Sequence, residues 1–271
     1  MDGGQKIRIM SRGGCNDDGV VKRLRVMTYN IHHGEGVDGV FDLARIAEAI
    51  RKARVDIAGL QEVDRWFGPR SRWVDGVGFL GERLEMYVLF GPALKIPTLR
   101  PRHPWGYFGN AILSRYPILQ GRNVVMKRIG TRENRAFLHA AVALGEATHP
   151  LNFIVTHLGL SGREREVHVR NILNYLRDLS GPKILVGDWN EGPDSPAVMA
   201  VRQEMVDVVA SCTEPGVRHD EVGHGGVDGY HIKPRVDYIF TSPDIRIEGF
   251  EVLPSPASDH FPVIATVYCC I

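Results

Sequence analysis

Residues 24–60 read LRVMTYNIHHGEGVDGVFDLARIAEAIRKARVDIAGL, and this stretch indicates how the fold begins. The apolar run at 24–29 is typical of a buried strand, and a second such run follows at 57–60. Between them, residues 41–53 place apolar side chains three or four positions apart, which predicts one buried helix face, at Leu43, Ile46, Ala47 and Ile50. The stretch therefore predicts a β-α-β unit at the start of an α/β domain.

Strand and helix patterns alternate along the rest of the chain and become strand-rich towards its end. Helices are predicted at 79–84, 163–179 and 194–204, and strands at 87–91, 110–114, 138–144, 151–156, 183–186, 236–241, 245–253 and 262–268. Two longer regions, 66–78 and 95–109, are predicted to be irregular. The second region contains Arg100, Arg102, His103, Trp105 and Tyr107. Long loops of this kind often carry function.

Length and composition favour a single α/β domain. The chain has 271 residues, with 33 basic and 32 acidic side chains, so net charge gives no argument for a nucleic-acid partner. Residues 1–22 contain no apolar segment typical of a signal peptide and are predicted to be a disordered extension. No apolar run approaches the length of a bilayer span. The four cysteines show no Cys-x-x-Cys spacing, which favours a reducing compartment, and a cytoplasmic location is expected.

Several polar side chains lie at the ends of predicted strands, and most of them follow an apolar run, so the strand ends could deliver them to one site. They are Asn30, Glu62, His157, Asp188, Asn190, Asp237, Asp259 and His260. Glu62, Asn30 and Asp259 offer the oxygen ligands that Mg²⁺ or Mn²⁺ prefers. Taken singly, Glu62 is better explained as a solvated acid past a strand, and Asn30 as a turn former. Their joint occurrence favours a hydrolase that uses a divalent metal.

The run Gly-Asp-Trp-Asn at 187–190 directly follows an apolar strand. Asp188 can accept a proton from attacking water, and Asn190 can donate a hydrogen bond to a phosphate oxygen. A simple turn with a helix cap is the alternative. Asp237 could fix the tautomer of His260 and raise its pKa.

These motifs, in this order, resemble those of the endonuclease/exonuclease/phosphatase superfamily. The segments that carry the resemblance are Thr-Tyr-Asn-Ile, Leu-Gln-Glu-Val, Gly-Asn-Ala-Ile-Leu-Ser-Arg-Tyr-Pro-Ile, Thr-His-Leu, Gly-Asp-Trp-Asn, Arg-Val-Asp-Tyr-Ile-Phe and Ser-Asp-His-Phe-Pro-Val, between residues 24 and 267. The resemblance implies a four-layer α/β sandwich in which two mixed β-sheets are flanked by helices. It implies one catalytic domain at 23–271.

The resemblance also implies a role for each site residue. Asn30, Glu62 and Asp259 would belong to the metal site, Asp188 would orient or deprotonate water, and Asn190 would bind phosphate. His260 would act with Asp237, while His157 and Arg135 would contact the phosphate. His32 and His33 are expected to line the pocket or contact the substrate. The Asn-Ile-His-His-Gly version of the first motif is similar to a bacterial branch akin to phosphatase-like domains of lipid-anchor remodelling proteins.

The sequence thus predicts a Mg²⁺- or Mn²⁺-dependent phosphoesterase. The expected substrate is a phosphodiester in nucleic acid, a phospholipid headgroup or a small molecule. The alternatives are a phosphomonoesterase of the same fold and a module that binds nucleic acid or lipid without catalysis. A monomer without an obligate protein partner is expected, and the region 95–107 suits either an anionic bilayer surface or single-stranded nucleic acid.

Overall fold

The computed structural model describes residues 6–8, 21–130, 133–145, 149–213, 225–228, 231–233 and 235–270. The helices are α1 (Leu43–Ala53), α2 (Gly76–Leu84), α3 (Gly162–Arg177), α4 (Pro196–Arg202) and α5 (Val208–Cys212). The strands are β1 (Lys6–Arg8), β2 (Val21–Asn30), β3 (Ile57–Arg65), β4 (Tyr87–Arg100), β5 (His103–Ser114), β6 (Ile118–Met126), β7 (Arg135–Val142), β8 (Leu151–His157), β9 (Lys183–Asp188), β10 (Val206–Asp207), β11 (Gly225–Asp228), β12 (His231–Lys233), β13 (Asp237–Thr241), β14 (Arg246–Val252) and β15 (Val263–Cys270).

Two mixed sheets form the centre of the molecule. The first has the strand order β1-β14-β15-β2-β3-β5-β4, and the second has the order β10-β13-β9-β8-β7-β6. Each contains one parallel pair whose strands are joined through a helix: β2 and β3 through α1, and β8 and β9 through α3. The predicted β-α-β opening is confirmed, and the second sheet contains another such unit.

The two sheets pack face to face between two helical layers. On β2, Leu24 and Val26 point into the core between the sheets, whereas Met27 and Tyr29 pack in the core that contains α1 and α2. This alternation follows from the two-residue period of a strand. The second sheet packs its outer face against α3 and α4 in a third core. The expected four-layer α/β sandwich is confirmed.

One predicted irregular region is regular in the structure. Residues 95–109 belong to a long antiparallel ribbon of β4 and β5, in which Lys95 pairs with Tyr107 and Arg100 with His103. Pro92 and Pro97 obscured this strand in the sequence. They are tolerated because β4 is the edge strand of its sheet. A residue without an N–H group there leaves no hydrogen bond unmade on the open side of the strand. The sequence pattern also missed β6, which is largely exposed.

The first residues of the chain are described only in part. Lys6–Arg8 pairs with β14, and residues 21 and 22 belong to β2, so these five residues of the predicted disordered extension are strand. The rest of the extension lies outside the described residues. Cys212 and Cys269 are free and buried, whereas Cys270 is disulfide-bonded. Among the described residues, no helix is long and apolar enough to cross a bilayer.

Candidate active site

The carboxyl ends of both parallel strand pairs lie at the same end of the sandwich. In the first sheet Asn30 pairs with Gln61, and in the second His157 pairs with Asp188. The sheets approach closely beneath these ends, because a Cβ atom on Gly59 would lie 2.5 Å from a methyl group of Val186. Side chains from the two sheets are therefore within reach of one another.

Irregular backbone directs several side chains towards this end. The pairing of β3 with β5 is interrupted between Leu60 and Val63, and Glu62 within this bulge has a φ of 58°. Positive φ values also occur at His32, His33 and Asn190, at 43°, 47° and 51°. Such conformations are unfavourable for residues with a Cβ atom and concentrate at functional sites. Four of them within one cluster mark this end of the sandwich as the candidate site.

The amide of Asn30 connects the two sheets. Its Nδ2 donates to Glu62 Oε1 at 3.0 Å and to Asp188 Oδ2 at 2.9 Å. Its Oδ1 accepts from the backbone N–H of His32 at 3.0 Å and retains a second lone pair. One amide group thus holds a carboxylate of each sheet in place while still offering an oxygen to a cation.

Asp188 is buried and surrounded by groups that favour its charged form. Its Oδ2 lies 3.6 Å from His157 Nε2 and 3.7 Å from His260 Nε2, and its Oδ1 accepts from Asn190 N–H. Burial acts to raise the pKa of Asp188, but the two imidazoles and the hydrogen bonds from Asn30 and Asn190 outweigh it and hold the pKa below its ordinary value. The carboxylate is therefore ionised at neutral pH.

His157, Asn190 and Arg135 form one polar wall of the site. The Nε2 atom of His157 lies 3.0 Å from Asn190 Nδ2, and its Nδ1 lies 3.5 Å from Arg135 Nη1. Both His157 and Arg135 are buried. Burial lowers the pKa of His157, and Arg135 adds to this effect while Asp188 opposes it. A neutral imidazole beside a guanidinium and an amide is suited to contact an anionic group.

Asp237 and His260 form a buried ion pair. Asp237 Oδ2 lies 2.8 Å from His260 Nδ1, and Asp237 is completely buried. Burial disfavours the charged forms and raises the pKa of Asp237 to about 6. Burial alone would lower the pKa of His260, but the attraction of Asp237 and its hydrogen bond raise this pKa to about 10. At neutral pH the proton therefore resides on His260, whose Nε2 side faces Asp188.

The preceding residue, Asp259, lies at the edge of the same cluster. Its negative charge contributes to the raised pKa values of His260 and Asp237. The neighbouring Ser258 donates from Oγ to the backbone oxygen of Asn30 at 2.7 Å, which fixes this turn against the end of β2. All the site residues predicted from the sequence are thus brought to one end of the sandwich.

Two groups of side chains in the described part of the chain have the geometry to hold a metal ion. One consists of Asp188, Asp237 and His260, and the other of His32, His33 and Glu62; in each, potential ligand atoms lie within 4.8 Å of one another. Asp237 Oδ1 is buried and has no hydrogen-bond partner among the residues that the structure describes. Orphaned polar atoms beside several carboxylates fit a divalent cation.

From the sequence, His32 and His33 are expected to line the pocket or contact the substrate. The structure brings both rings to Glu62. Their position two and three residues after Asn30 was visible in the sequence, but the left-handed backbone that directs the rings was not. Burial, and then the charge of Arg70, lower the pKa of His33.

Residues 27–260 match the Endonuclease/Exonuclease/phosphatase family, and the chain belongs to it. Members of this family are phosphoesterases, and the family fold is typically dependent on a divalent metal. The chain is similar to Uncharacterized protein YbhP of Escherichia coli (strain K12), with 27% identity over 180 residues that cover 62% of this chain and 67% of that protein.

Solved structures show the same architecture. The chain is similar to an endonuclease/exonuclease/phosphatase from Beutenbergia cavernae, with a TM-score of 0.73 and 26% identity, covering 92% of this chain and 72% of that one. It also resembles D. rerio TDP2 complexed with a single-strand DNA product, with a TM-score of 0.65 and 19% identity, covering 90% of this chain and 98% of that one.

Proposed function

We propose that this protein is a Mg²⁺- or Mn²⁺-dependent phosphoesterase that hydrolyses a phosphodiester. The observation that carries the proposal is the arrangement around Asp188. Its ionised carboxylate is joined through Asn30 to Glu62, and it lies within 3.7 Å of the ring nitrogens of His157 and His260. The site thus brings together three kinds of group. These are carboxylates that can bind a cation, a carboxylate that can direct water, and donors that can contact a phosphoryl oxygen.

In this proposal Asp188 orients the attacking water and accepts its proton. Its fixed hydrogen bonds to Asn30 and Asn190 hold the carboxylate in one orientation, which favours in-line attack. His260 donates from Nε2 to a phosphoryl oxygen, because its Nδ1 is committed to Asp237. His157, Asn190 and Arg135, which contact one another in the site, also hold the phosphoryl group.

Glu62 and Asp259, with Asn30 Oδ1, would hold the cation. A divalent ion at this position supplies positive charge to the phosphoryl oxygens and lowers the pKa of bound water. The carboxylate of Glu62 fits such an ion, since the hydrogen bond that its Oε1 accepts from Asn30 Nδ2 leaves lone pairs on the carboxylate free.

An aromatic and basic surface next to the site favours an extended anionic substrate. We call it the ribbon face. Its residues lie at the end of β3, in the segment after β3 and on the β4–β5 ribbon, and they are Arg65, Trp66, Trp73, Lys95, Arg100, Arg102, His103 and Trp105. Trp66 stacks on His103 with ring centroids 4.4 Å apart, and Lys95 lies 4.1 Å from the ring centre of Trp105.

The ribbon face starts at the site itself. Val63, directly after Glu62, pairs with Gly109, and Arg65 pairs with Tyr107 two residues further along both strands. Aromatic rings interleaved with cations bind single-stranded nucleic acid by stacking and phosphate contact. Within the phosphodiesters, single-stranded nucleic acid is therefore the substrate class that this surface supports best.

A substrate panel tests the proposal. The protein is incubated with bis-p-nitrophenyl phosphate, p-nitrophenyl phosphate, a single-stranded oligonucleotide and phospholipid vesicles, each with Mg²⁺, with Mn²⁺ and with EDTA. Metal-dependent cleavage of the generic diester and of the oligonucleotide supports it. Cleavage of the monoester alone would identify a phosphomonoesterase, release of a lipid headgroup alone would assign a lipid substrate, and binding without cleavage would identify a non-catalytic module.

A further inference from the structure

Two histidines that the proposed hydrolysis does not use lie against Glu62. Potential ligand atoms of His32, His33 and Glu62 are within 4.8 Å of one another. His33 is only 7% exposed, and neither of its ring nitrogens has a hydrogen-bond partner among the described residues; its Nε2 lies 3.6 Å from Glu35 Oε2. The Nδ1 atom of His32 is likewise buried without a partner among the described residues. Buried imidazole nitrogens without partners need a ligand to offset their lost hydration.

The backbone holds these rings in place at an energetic cost. Both histidines have positive φ values, and each such residue costs roughly 1–3 kcal/mol. The turn is nevertheless fixed on both sides, because His32 N–H donates to Asn30 Oδ1 and Gly34 N–H donates to the backbone oxygen of Ile31. Strain that the surrounding structure enforces is typical of a binding site rather than of a surface turn.

We infer that His32 and His33 join Glu62 in a nitrogen-containing metal site, which selects a first-row transition ion over Mg²⁺. Imidazole nitrogen suits Fe²⁺, Co²⁺ and Zn²⁺, whereas Mg²⁺ prefers six oxygen ligands in near-ideal octahedral geometry. A carboxylate flanked by two imidazoles therefore binds a transition ion more tightly than an all-oxygen site would. This inference rests on the proposed metal dependence and, of the two ions proposed there, favours the transition ion Mn²⁺ over Mg²⁺.

Co²⁺ serves as the probe, because bound imidazoles give paramagnetically shifted ring N–H signals in NMR spectra. Affinities for Co²⁺ and Mg²⁺ are measured by calorimetry without substrate, on wild type, His32→Gln, His33→Gln and the double variant. His139→Gln is the matched control, since His139 is equally buried at 7% exposure but contacts Tyr175 and Asn152. Thermal unfolding verifies that each variant is folded.

The Co²⁺ affinity of the double variant should fall by at least about tenfold. Loss of a residue that only hydrogen-bonds to a metal ligand already has an effect of about this size, so loss of two ligands should have at least as large an effect. Its Mg²⁺ affinity should change less than threefold, and two shifted N–H signals of the wild type should disappear. His32→Gln alone should remove one signal, which preserves the test if His33 variants do not fold. His139→Gln should leave both signals.

Unchanged Co²⁺ affinity in the double variant would overturn the inference. So would shifted signals that persist there and disappear in His260→Gln, because the metal would then belong to the group of Asp188, Asp237 and His260. Neither result depends on hydrolysis. Failure of the proposed function, by contrast, would appear as absence of diester cleavage in protein whose metal binding is intact.

Discussion

A single side chain, Asn30, links the two halves of the candidate site. Its Nδ2 donates to Glu62 in the first sheet and to Asp188 in the second. If either carboxylate is replaced, the amide of Asn30 still donates to the other one. One of its two hydrogen bonds to a carboxylate therefore remains in the folded protein. Single carboxylate variants are for this reason suitable probes of chemistry rather than of folding.

The first prediction concerns Glu62→Gln. The substitution keeps the volume of the side chain but removes a charged oxygen ligand, so kcat/KM at limiting metal should fall by at least about tenfold to a hundredfold. Rates are measured on bis-p-nitrophenyl phosphate over a series of Mg²⁺ and Mn²⁺ concentrations. Glu48→Gln, exposed on α1 and paired with Arg51, is the control. An unaltered metal dependence in Glu62→Gln would show that Glu62 is not a ligand.

The second prediction concerns the ion pair of Asp237 and His260. In metal-free protein, His260 should remain protonated at neutral pH and lose its proton near pH 10, whereas Asp237→Asn should shift this titration markedly downwards. Because the folded-state pKa of His260 lies above its ordinary value, its contribution to stability is complete below pH 6.5 and is lost as the pH rises towards 10. NMR titration of the ring proton, assigned with His260→Ala, measures the pKa directly.

Kinetics on the same variants test whether the pair acts as a unit. His260→Ala should reduce kcat/KM by about 10² to 10⁴, the usual range for a proton donor, and adding Asp237→Asn should reduce it little further. Strictly multiplicative losses would show that Asp237 acts independently of His260.

The sequence identified which residues reach the site but not how they are held. Asp188, Asn190 and His157 were predictable because each ends or follows an apolar strand. The bulge that exposes Glu62 and the left-handed turn at His32 and His33 depend on pairing with β5 and on contacts with Gln61. Contacts between residues far apart in the chain cannot be read from local sequence periodicity.

The β4–β5 ribbon shows why local sequence patterns did not predict the full length of these two strands. Its prolines and mixed polarity indicated a loop, yet eleven register pairs join the two strands. The ribbon is stabilised by its position at the sheet edge and by ring and cation contacts, such as Arg100 at 4.2 Å from the ring centre of Trp73. A region predicted to be irregular is thus a structured surface that carries charge beyond the site.

The third prediction concerns this surface. Replacing Arg100 and Arg102 with Ala should raise KM for a single-stranded oligonucleotide and weaken its dependence on salt, because two phosphate contacts are lost. Turnover of bis-p-nitrophenyl phosphate should be spared, since a small diester does not reach the ribbon face. The control pair is Arg54→Ala with Arg170→Ala, two exposed arginines on the helical layers. Equal losses on both substrates would assign Arg100 and Arg102 a structural role.

The candidate site depends on the stacking of the two sheets. Asn30 and Glu62 come from the first sheet, and His157 and Asp188 from the second. No local segment contains the set, so the unfolded chain has no comparable metal site. Metal affinity and global stability are therefore coupled, because an ion that binds only the folded state shifts the unfolding equilibrium.

The last prediction follows from this coupling. At free metal a hundredfold above its dissociation constant, the folded state should gain about 2.7 kcal/mol. For a domain of this size, the midpoint of thermal unfolding should then rise by roughly 5–10 °C, at roughly 2–4 °C per kcal/mol.

Glu62→Gln should abolish most of this rise. Its metal-free midpoint should equal or exceed that of the wild type, because the variant removes a negative charge that shares the amide of Asn30 with Asp188. Scanning calorimetry of both proteins with and without EDTA tests both points. A metal-induced rise that survives in Glu62→Gln would place the cation at the Asp188, Asp237 and His260 group instead.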